Sequence, residues 1–327
     1  MIGKHQVTVS NARIRFRFTI ERSVTILRGD SATGKTTLID MLASHQRNGI
    51  SSGVTVLCDK PCIVLTGFNW HLNLSEIHDS IVFIDEGDEF VRSYDFASAI
   101  QKTDNYYVIA TRTVLPNIAY SVNEVYGIKN VSGNRYQGTK RLFSEFYPLL
   151  AKEINTPLRP DLVIIEDSNA GFEFFNKVFT DLSIICISAN GKSNIQREVE
   201  ICNAENVLII ADGAAFGSEI DKVLPLRRVK NLALFLPESF EWLVLRSGVL
   251  KNNAVDTMLE SPADHIESSQ YFSWERFFTA FLTAETKESY LKYNKKKLNQ
   301  AYLQSKEKEA ILALVPYADL QHSAQEI

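Results

Sequence analysis

Gly29-Asp30-Ser31-Ala32-Thr33-Gly34-Lys35-Thr36 matches the pattern G-x-x-x-x-G-K-[ST]. Glycines at both ends of such a stretch let the backbone fold tightly, so that consecutive N–H groups point at phosphate oxygens. The lysine reaches β- and γ-phosphates, and the hydroxyl after it suits Mg²⁺. The pattern predicts Gly29 through Thr36, with Thr37, as a phosphate-binding set. Lys35 carries catalytic charge in that reading, and Thr36 is a metal ligand. The alternative is an ordinary glycine-containing surface loop. A second stretch, Ile81-Val82-Phe83-Ile84-Asp85-Glu86, sets four apolar residues before two acids. Asp85 is predicted to hold the metal, through water, and Glu86 to polarise an attacking water. The alternative is a strand that ends in a polar turn, since Asp88 and Glu89 follow closely.

Both stretches need particular elements around them. Val24-Thr25-Ile26-Leu27 reads as an apolar strand leading into the loop, and Thr37 to Leu42 as an amphipathic helix leaving it. That strand–loop–helix order separates a phosphate-binding loop from a chance match. The positive end of the helix would add to the field on an anion. Val7–Val9 and Ile14–Phe18 alternate like strands about a Ser10-Asn11 turn. Val54–Leu57 and Ile63–Leu65 are further strands, broken by Asp59-Lys60-Pro61. Tyr106–Ala110 ends in Thr111-Arg112, a polar sensor and a charge stabiliser for a γ-phosphate, or else a solvated strand end. Val122–Ile128 is predicted as a late edge strand.

A length of 327 residues suggests two domains, and 45% apolar residues suffice for two cores. A net charge of −4 gives the chain as a whole no nucleic-acid footprint, while a local basic patch stays open. Cys58 and Cys62 lie in an apolar stretch with no matching pair and no histidine nearby in sequence. With Cys186 and Cys202 they read as buried thiols rather than a zinc site or a disulfide. The first residues lack a signal peptide's apolar core, and no run approaches about 18 uninterrupted apolar residues. The expectation is a soluble cytoplasmic protein with no membrane partner.

On these residues the first 140 or so resemble a trimmed ATP-binding-cassette-like P-loop ATPase. The resemblance rests on the alternating N-terminal strands, the phosphate loop, the Ile-Asp-Glu strand and the Ala-Thr-Arg strand end. It implies ATP and Mg²⁺ as cofactors. The family's Leu-Ser-Gly-Gly-type signature is absent, and only about 45 residues separate Lys35 from the acidic strand. A P-loop kinase is a further alternative, but no acceptor-binding lid is legible.

Pro157-Leu158-Arg159-Pro160 reads as a linker, after which apolar strands alternate with helices. Strands are predicted at 162–167, 182–187, 207–212 and 232–236, with helices at 170–179, 195–202, 216–224 and from 238 to 245. Such alternation argues for a parallel sheet covered on both faces, with ligands beyond the carboxyl ends of its strands. Glu166, Asp167 and Asp212 fall at those ends. An acid-tipped first strand, a Gly-Lys turn after the second and an Asp-tipped third strand look like a TOPRIM domain. Some nucleases of the overcoming-lysogenization-defect type join that module to a P-loop ATPase. The resemblance implies general acid/base work for Glu166 and a Mg²⁺ held by Glu166 and Asp212. Asp212-Gly213-Ala214 has alanine where the family's second aspartate would stand, and Glu219 or Glu238 is the substitute carboxylate on offer. An inert TOPRIM-like fold used for binding stays open beside the catalytic one. So does a phosphoreceiver, with Asp212 as phosphoacceptor.

From about residue 251 the chain turns polar and helical. Phe277, Phe278, Phe281 and Leu282 form an apolar stripe at helical spacing. Lys292, Lys295, Lys296 and Lys297, with Tyr290 and Tyr293 between them, could touch phosphates and stack on bases, or form a solvated charged helix. The expected architecture is α/β: a P-loop NTPase domain over 1–150, a Rossmann-like parallel-sheet (TOPRIM-like) domain over 158–250 and a helical tail over 251–327. The expected partners are a nucleotide and DNA or RNA. In a rival reading, the second domain only recruits a partner protein or a second copy.

Overall fold

The computed structural model describes residues 1–29, 33–131, 142–150 and 159–315, and its backbone divides into two units. The first takes Met1–Leu149 with Ser261–Ser273, and the second Leu150–Glu260 with Trp274–Ile327. Among the described residues there are ten α-helices and thirteen strands, a mixed α/β architecture.

The first unit opens with an antiparallel hairpin, β1 (His5–Ser10) and β2 (Ile14–Ile20), that pairs Val7 with Phe18 and Val9 with Phe16. Asn11 makes the predicted turn: its side-chain oxygen accepts the N–H groups of Arg13 and Ile14 at 2.8 and 3.0 Å. Then follow β3 (Val24–Arg28), α1 (Lys35–Asn48), β4 (Thr55–Leu57), β5 (Cys62–Val64), α2 (Trp70–Ser75), β6 (Ile81–Ile84), α3 (Tyr94–Ile100), β7 (Tyr106–Thr111), β8 (Val125–Asn130) and β9 (Leu142–Pro148). They form one nine-stranded sheet in the order β4-β1-β2-β9-β8-β3-β7-β6-β5. The run β8, β3, β7, β6, β5 is parallel throughout, so its carboxyl ends share one edge.

β4 and β5 are opposite ends of this sheet, yet only residues 58–61 join them. Five residue steps span at most about 18 Å. The sheet must therefore curl until its edges approach. It curls around α1, whose Leu38, Ile39, Met41 and Leu42 share one core with Val7, Val9, Phe16, Phe18, Phe83 and Val108. The amphipathic pattern of α1 is thus met by sheet on several sides.

Val122–Ile128 is not an edge strand. Residues 122–124 form a 3₁₀ turn capped by the Ser121 hydroxyl, and β8 lies inside the sheet between β3 and β9. Its second neighbour, Leu-Phe-Ser-Glu-Phe-Tyr-Pro, has neither clean alternation nor a continuous apolar run, so the sequence does not announce it.

The second unit carries β10 (Leu162–Ile165), α4 (Ala170–Asp181), β11 (Ile185–Ser188), α5 (Ile195–Ile201), β12 (Asn206–Ile210), α6 (Ile220–Val223), β13 (Asn231–Phe235), α7 (Phe240–Arg246), α8 (Asn253–Glu260), α9 (Trp274–Glu285) and α10 (Ser305–Leu312). The four strands are all parallel, in the order β11-β10-β12-β13. β10 is buried along its whole length, as its unbroken apolar run requires. β11 starts three residues later than the sequence suggests, because Ser183 adopts a left-handed φ of 59° and turns the chain out of α4. The helix expected over 216–224 is broken into a 3₁₀ turn, the short α6 and a second 3₁₀ turn with Pro225 in its first turn. In the tail, Phe277, Phe278 and Leu282 are buried on α9 as their spacing implies. Ser261–Ser273 returns to the first unit, where Gly3 N–H donates to the Ala263 carbonyl at 2.9 Å. Residues 157 and 158 of the expected linker lie outside the described residues. No described helix is long and apolar enough to cross a membrane.

Candidate functional site

In the first unit, β3 delivers Gly29 to the shared carboxyl edge, and α1 begins at Lys35. Asp30, Ser31 and Ala32 lie outside the described residues. Gly34 sits at φ 99°, a conformation that a side chain would strain, and a Cβ there would meet the Phe16 ring at 3.5 Å. As helix N-cap it brings no side chain, so the first-turn N–H groups receive no side-chain cap. Lys35 is 4% exposed; its ammonium folds back, donating to the Gly29 carbonyl at 2.5 Å and the Thr33 hydroxyl at 3.3 Å. Thr36 and Thr37 are exposed.

β6 ends at Ile84, so Asp85 and Glu86 emerge at the same edge. The Asp85 carboxylate accepts the Glu86 N–H at 2.9 Å. Burial, with the Asp85 charge as a smaller cause, holds the Asp88 carboxyl above its ordinary range, while the Gly67 N–H at 3.0 Å works the other way. β7 lies between β3 and β6 and brings Thr111 and Arg112 between the two. Thr111 is buried and bonded within its own loop. Its hydroxyl donates to the Thr113 carbonyl at 2.7 Å and accepts the Thr113 N–H at 3.2 Å, which closes a local turn. Arg112 is a bidentate partner of Glu86, with Nε to Oε2 at 3.1 Å and Nη2 to Oε1 at 2.5 Å. That guanidinium lowers the Glu86 carboxyl below its usual range, and the Lys35 charge adds to the effect. Lys35, Glu86 and Arg112 therefore share one electrostatic neighbourhood.

In the second unit, β10 and β12 are adjacent and parallel, so Glu166 and Asp212 emerge side by side. Glu166 Oε2 accepts the Asp212 N–H at 2.9 Å. Burial raises Glu166 to about 7, opposed by that bond and by the Lys192 charge. Burial likewise raises Asp212, helped by Glu275, Glu166 and Glu241. The pair borders a cavity of about 20 Å³ together with Asp167, Glu241, Tyr293 and Lys295. That volume is on the order of one water molecule or one ion.

Asp167 turns to its own loop, accepting the N–H groups of Ser168 and Asn169 at 2.7 and 3.0 Å. Ala214 is 5% exposed, in the place of the aspartate that the resemblance would want. Glu219 does not replace it, being paired to Lys222 at 2.7 Å. The carboxylates that join Glu166 and Asp212 are Glu241 on α7 and Glu275 on α9. Glu241 is 2% exposed and accepts the Thr279 and Tyr293 hydroxyls at 2.9 and 2.8 Å. Lys295 donates to Glu275 at 2.5 Å; although burial opposes it, the charges of Glu241, Glu275 and Asp212 raise its ammonium above the ordinary lysine range.

Sequence reasoning missed Glu241, Glu275 and Lys295 as a group. One signal was present: Glu241 stands alone in the apolar helix Phe-Glu-Trp-Leu-Val-Leu-Arg. The lysine-rich segment is not a helix, and of its two tyrosines only Tyr290 is exposed. Residues 286–299 run as turns and irregular backbone, Tyr293 is buried against Glu241, and Tyr290 donates its hydroxyl to Glu307 at 2.8 Å.

Among the described residues no three His, Cys, Asp or Glu side chains are placed to hold one metal ion. No protein-family model matches the chain. No curated protein shows significant similarity to it.

Proposed function

We propose that the first unit binds ATP with Mg²⁺ and hydrolyses it. The observation that carries this reading is the Lys35 ammonium folded over Gly29, in electrostatic contact with Glu86, where the parallel strands end. Lys35 leaves Gly29 for the phosphates, and with the loop amides stabilises charge on the transferring phosphoryl group. Thr36, exposed at the start of α1, and Asp85 would hold Mg²⁺, which supplies neutralising charge when bound. Glu86 orients water once Arg112 releases it, and the freed guanidinium then faces the same anion. The strand order, with one strand between the loop strand and the acid strand, supports the likeness to a cassette-type ATPase. Phosphate release with Mg·ATP tests the reading: Lys35→Ala should lose nucleotide affinity and turnover together. Unchanged affinity and turnover in that variant would refute it.

For the second unit we propose a TOPRIM-like role on nucleic acid. Glu166 and Asp212 would hold Mg²⁺ with water, and Glu166, raised to about 7, is suited to proton transfer near neutrality. One observation favours the other reading, a unit that recruits a partner without cutting: Lys295 already places a positive charge among Glu275, Glu241 and Asp212. Plasmid nicking with Mg²⁺ or Mn²⁺, lost in Glu166→Ala, selects the nuclease. No cleavage under any metal or nucleotide condition selects the recruiter.

A further inference from the structure

The amino-terminal edge of the four-stranded sheet lies opposite Glu166 and Asp212, and neither proposed activity uses it. β12 begins at Asn206 and β13 at Asn231, and these two residues are register partners in the parallel pair. The Asn231 amide donates to Asn206 Oδ1 at 2.8 Å, and Asn206 Nδ2 donates to Asp161 Oδ2 at 2.8 Å. The Asn231 N–H donates to the Glu205 carbonyl at 3.0 Å. These bonds tie the two strand starts into one floor. Glu205, Asn206, Arg227, Arg228, Lys230 and Asn231 line a cavity of about 810 Å³ there.

The charges around that cavity do not balance. Arg227 and Arg228 end the 3₁₀ turn Leu224–Arg228, and the Val229 and Lys230 N–H groups both donate to the Leu226 carbonyl at 3.0 Å. The closed turn sets three cations within four residues at one rim, against one lining carboxylate, Glu205. Arg227 Nε donates to the Leu232 carbonyl at 3.2 Å, which pins its guanidinium beside the start of β13. Lys230 is half-buried. Its ammonium donates to the Cys202 and Ala204 carbonyls at 2.6 and 2.9 Å and to Cys202 Sγ at 3.3 Å. All three acceptors are neutral, and the sulfur is a weak one. A half-buried cation held only by neutral acceptors gains from an anion brought beside it. Arg228 is exposed and adds its charge at the mouth.

We propose that this basin binds a phosphate-bearing small anion of nucleotide size. Lys230 exchanges its sulfur contact for a phosphate oxygen, and Arg227 and Arg228 supply forked donors to the same group. The volume falls within the range of small-ligand sites, about 300–1,000 Å³, and exceeds what one phosphate fills. The Asn206 and Asn231 amides therefore face the remainder of the ligand. Three cations on one turn make a cluster and not a track, which favours a compact anion over a nucleic-acid strand. The site needs neither ATP hydrolysis in the first unit nor a metal beside Glu166.

Isothermal calorimetry with inorganic pyrophosphate, in EDTA and at low salt, tests the site. The full chain carries Lys35→Ala, which removes the phosphate loop's own claim on the probe. Saturable binding is expected, weakened about tenfold or more by Arg228→Glu and strengthened roughly twofold by Glu205→Gln. AMP should bind with the same dependence on Arg228. Arg228 and Glu205 are both exposed, so the two variants should keep the melting temperature of the Lys35→Ala chain. Pyrophosphate that does not bind, or that binds as tightly after Arg228→Glu, overturns the proposal. So does a single-stranded oligonucleotide that binds more tightly than pyrophosphate and loses that affinity with Arg228→Glu, because the basin then belongs to a nucleic-acid path.

Discussion

Gly213 follows Asp212 at the carboxyl end of β12, and the structure leaves it no room for a side chain. A Cβ built there would lie 2.4 Å from the Leu236 carbonyl oxygen and 2.9 Å from that of Pro237. Both obstacles are backbone, so no rotamer change relieves them. The Gly213 N–H already donates to Pro237 O at 2.6 Å, and the Ala214 N–H to Glu238 O at 3.3 Å. These bonds fasten the end of β12 to the segment after β13. In Gly213→Ala the two segments must separate by the better part of an ångström, and the 2.6 Å bond is the first to go. Overpacking costs about 1–3 kcal/mol, and a lost backbone hydrogen bond about 1 kcal/mol more, so the expected loss is roughly 2–4 kcal/mol. Gly213 has no positive φ, so all of this cost is steric.

Gly191 is the control. Its φ is 116° with ψ 150° and nothing lies within 4 Å of its would-be Cβ, so Gly191→Ala costs only backbone strain, about 1–3 kcal/mol, with no steric part. Urea denaturation followed by fluorescence reads both variants, since Trp242 and Trp274 belong to the second unit. If Gly213→Ala unfolds within about 0.5 kcal/mol of the parent, the close approach of these segments is wrong. The placement of Asp212 beside Glu166 then falls with it, because the Asp212 N–H that meets Glu166 belongs to the same turn.

Lys295→Met removes the ammonium from beside Glu275, Glu241 and Asp212. Lys295 is 39% exposed along its side chain, so the loss is discounted to about 1–2 kcal/mol. Mn²⁺ should then raise the melting temperature of the variant more than that of the parent, and equal shifts would remove Lys295 from the cation's place. Glu86→Gln should keep ATP affinity and lower phosphate release at least about a hundredfold; retained turnover would strip Glu86 of its role. In EDTA, the raised Glu166 carboxyl favours the folded unit fully below the free glutamate value and loses that contribution as pH rises through about 7. The stability of the second unit should therefore fall between about pH 4.5 and 7, and Glu166→Gln should flatten that slope. An unchanged slope would place Glu166 in water.

What the sequence disclosed and what it hid divide along a physical line. The acid-tipped strands β6 and β10 and the helix α1 were legible because each is a local pattern whose period or punctuation is its own cause. β9 was not legible, because its residues answer to the β2 and β8 neighbours they pair with rather than to a period of their own. The same holds for the acidic cluster. Glu241, Glu275 and Lys295 are scattered over more than fifty residues and acquire meaning only when α7, α9 and a turn pack at the end of β12. Lys295 shows the hazard directly. In the sequence it belongs to a basic run with Lys292, Lys296 and Lys297, the composition of a phosphate-binding surface. In the structure its three neighbours are exposed, while Lys295 alone turns inward to the carboxylates. Its charge is consumed within the fold, so the nucleic-acid reading of this unit can draw on the exposed Lys292, Lys296 and Lys297 but not on Lys295.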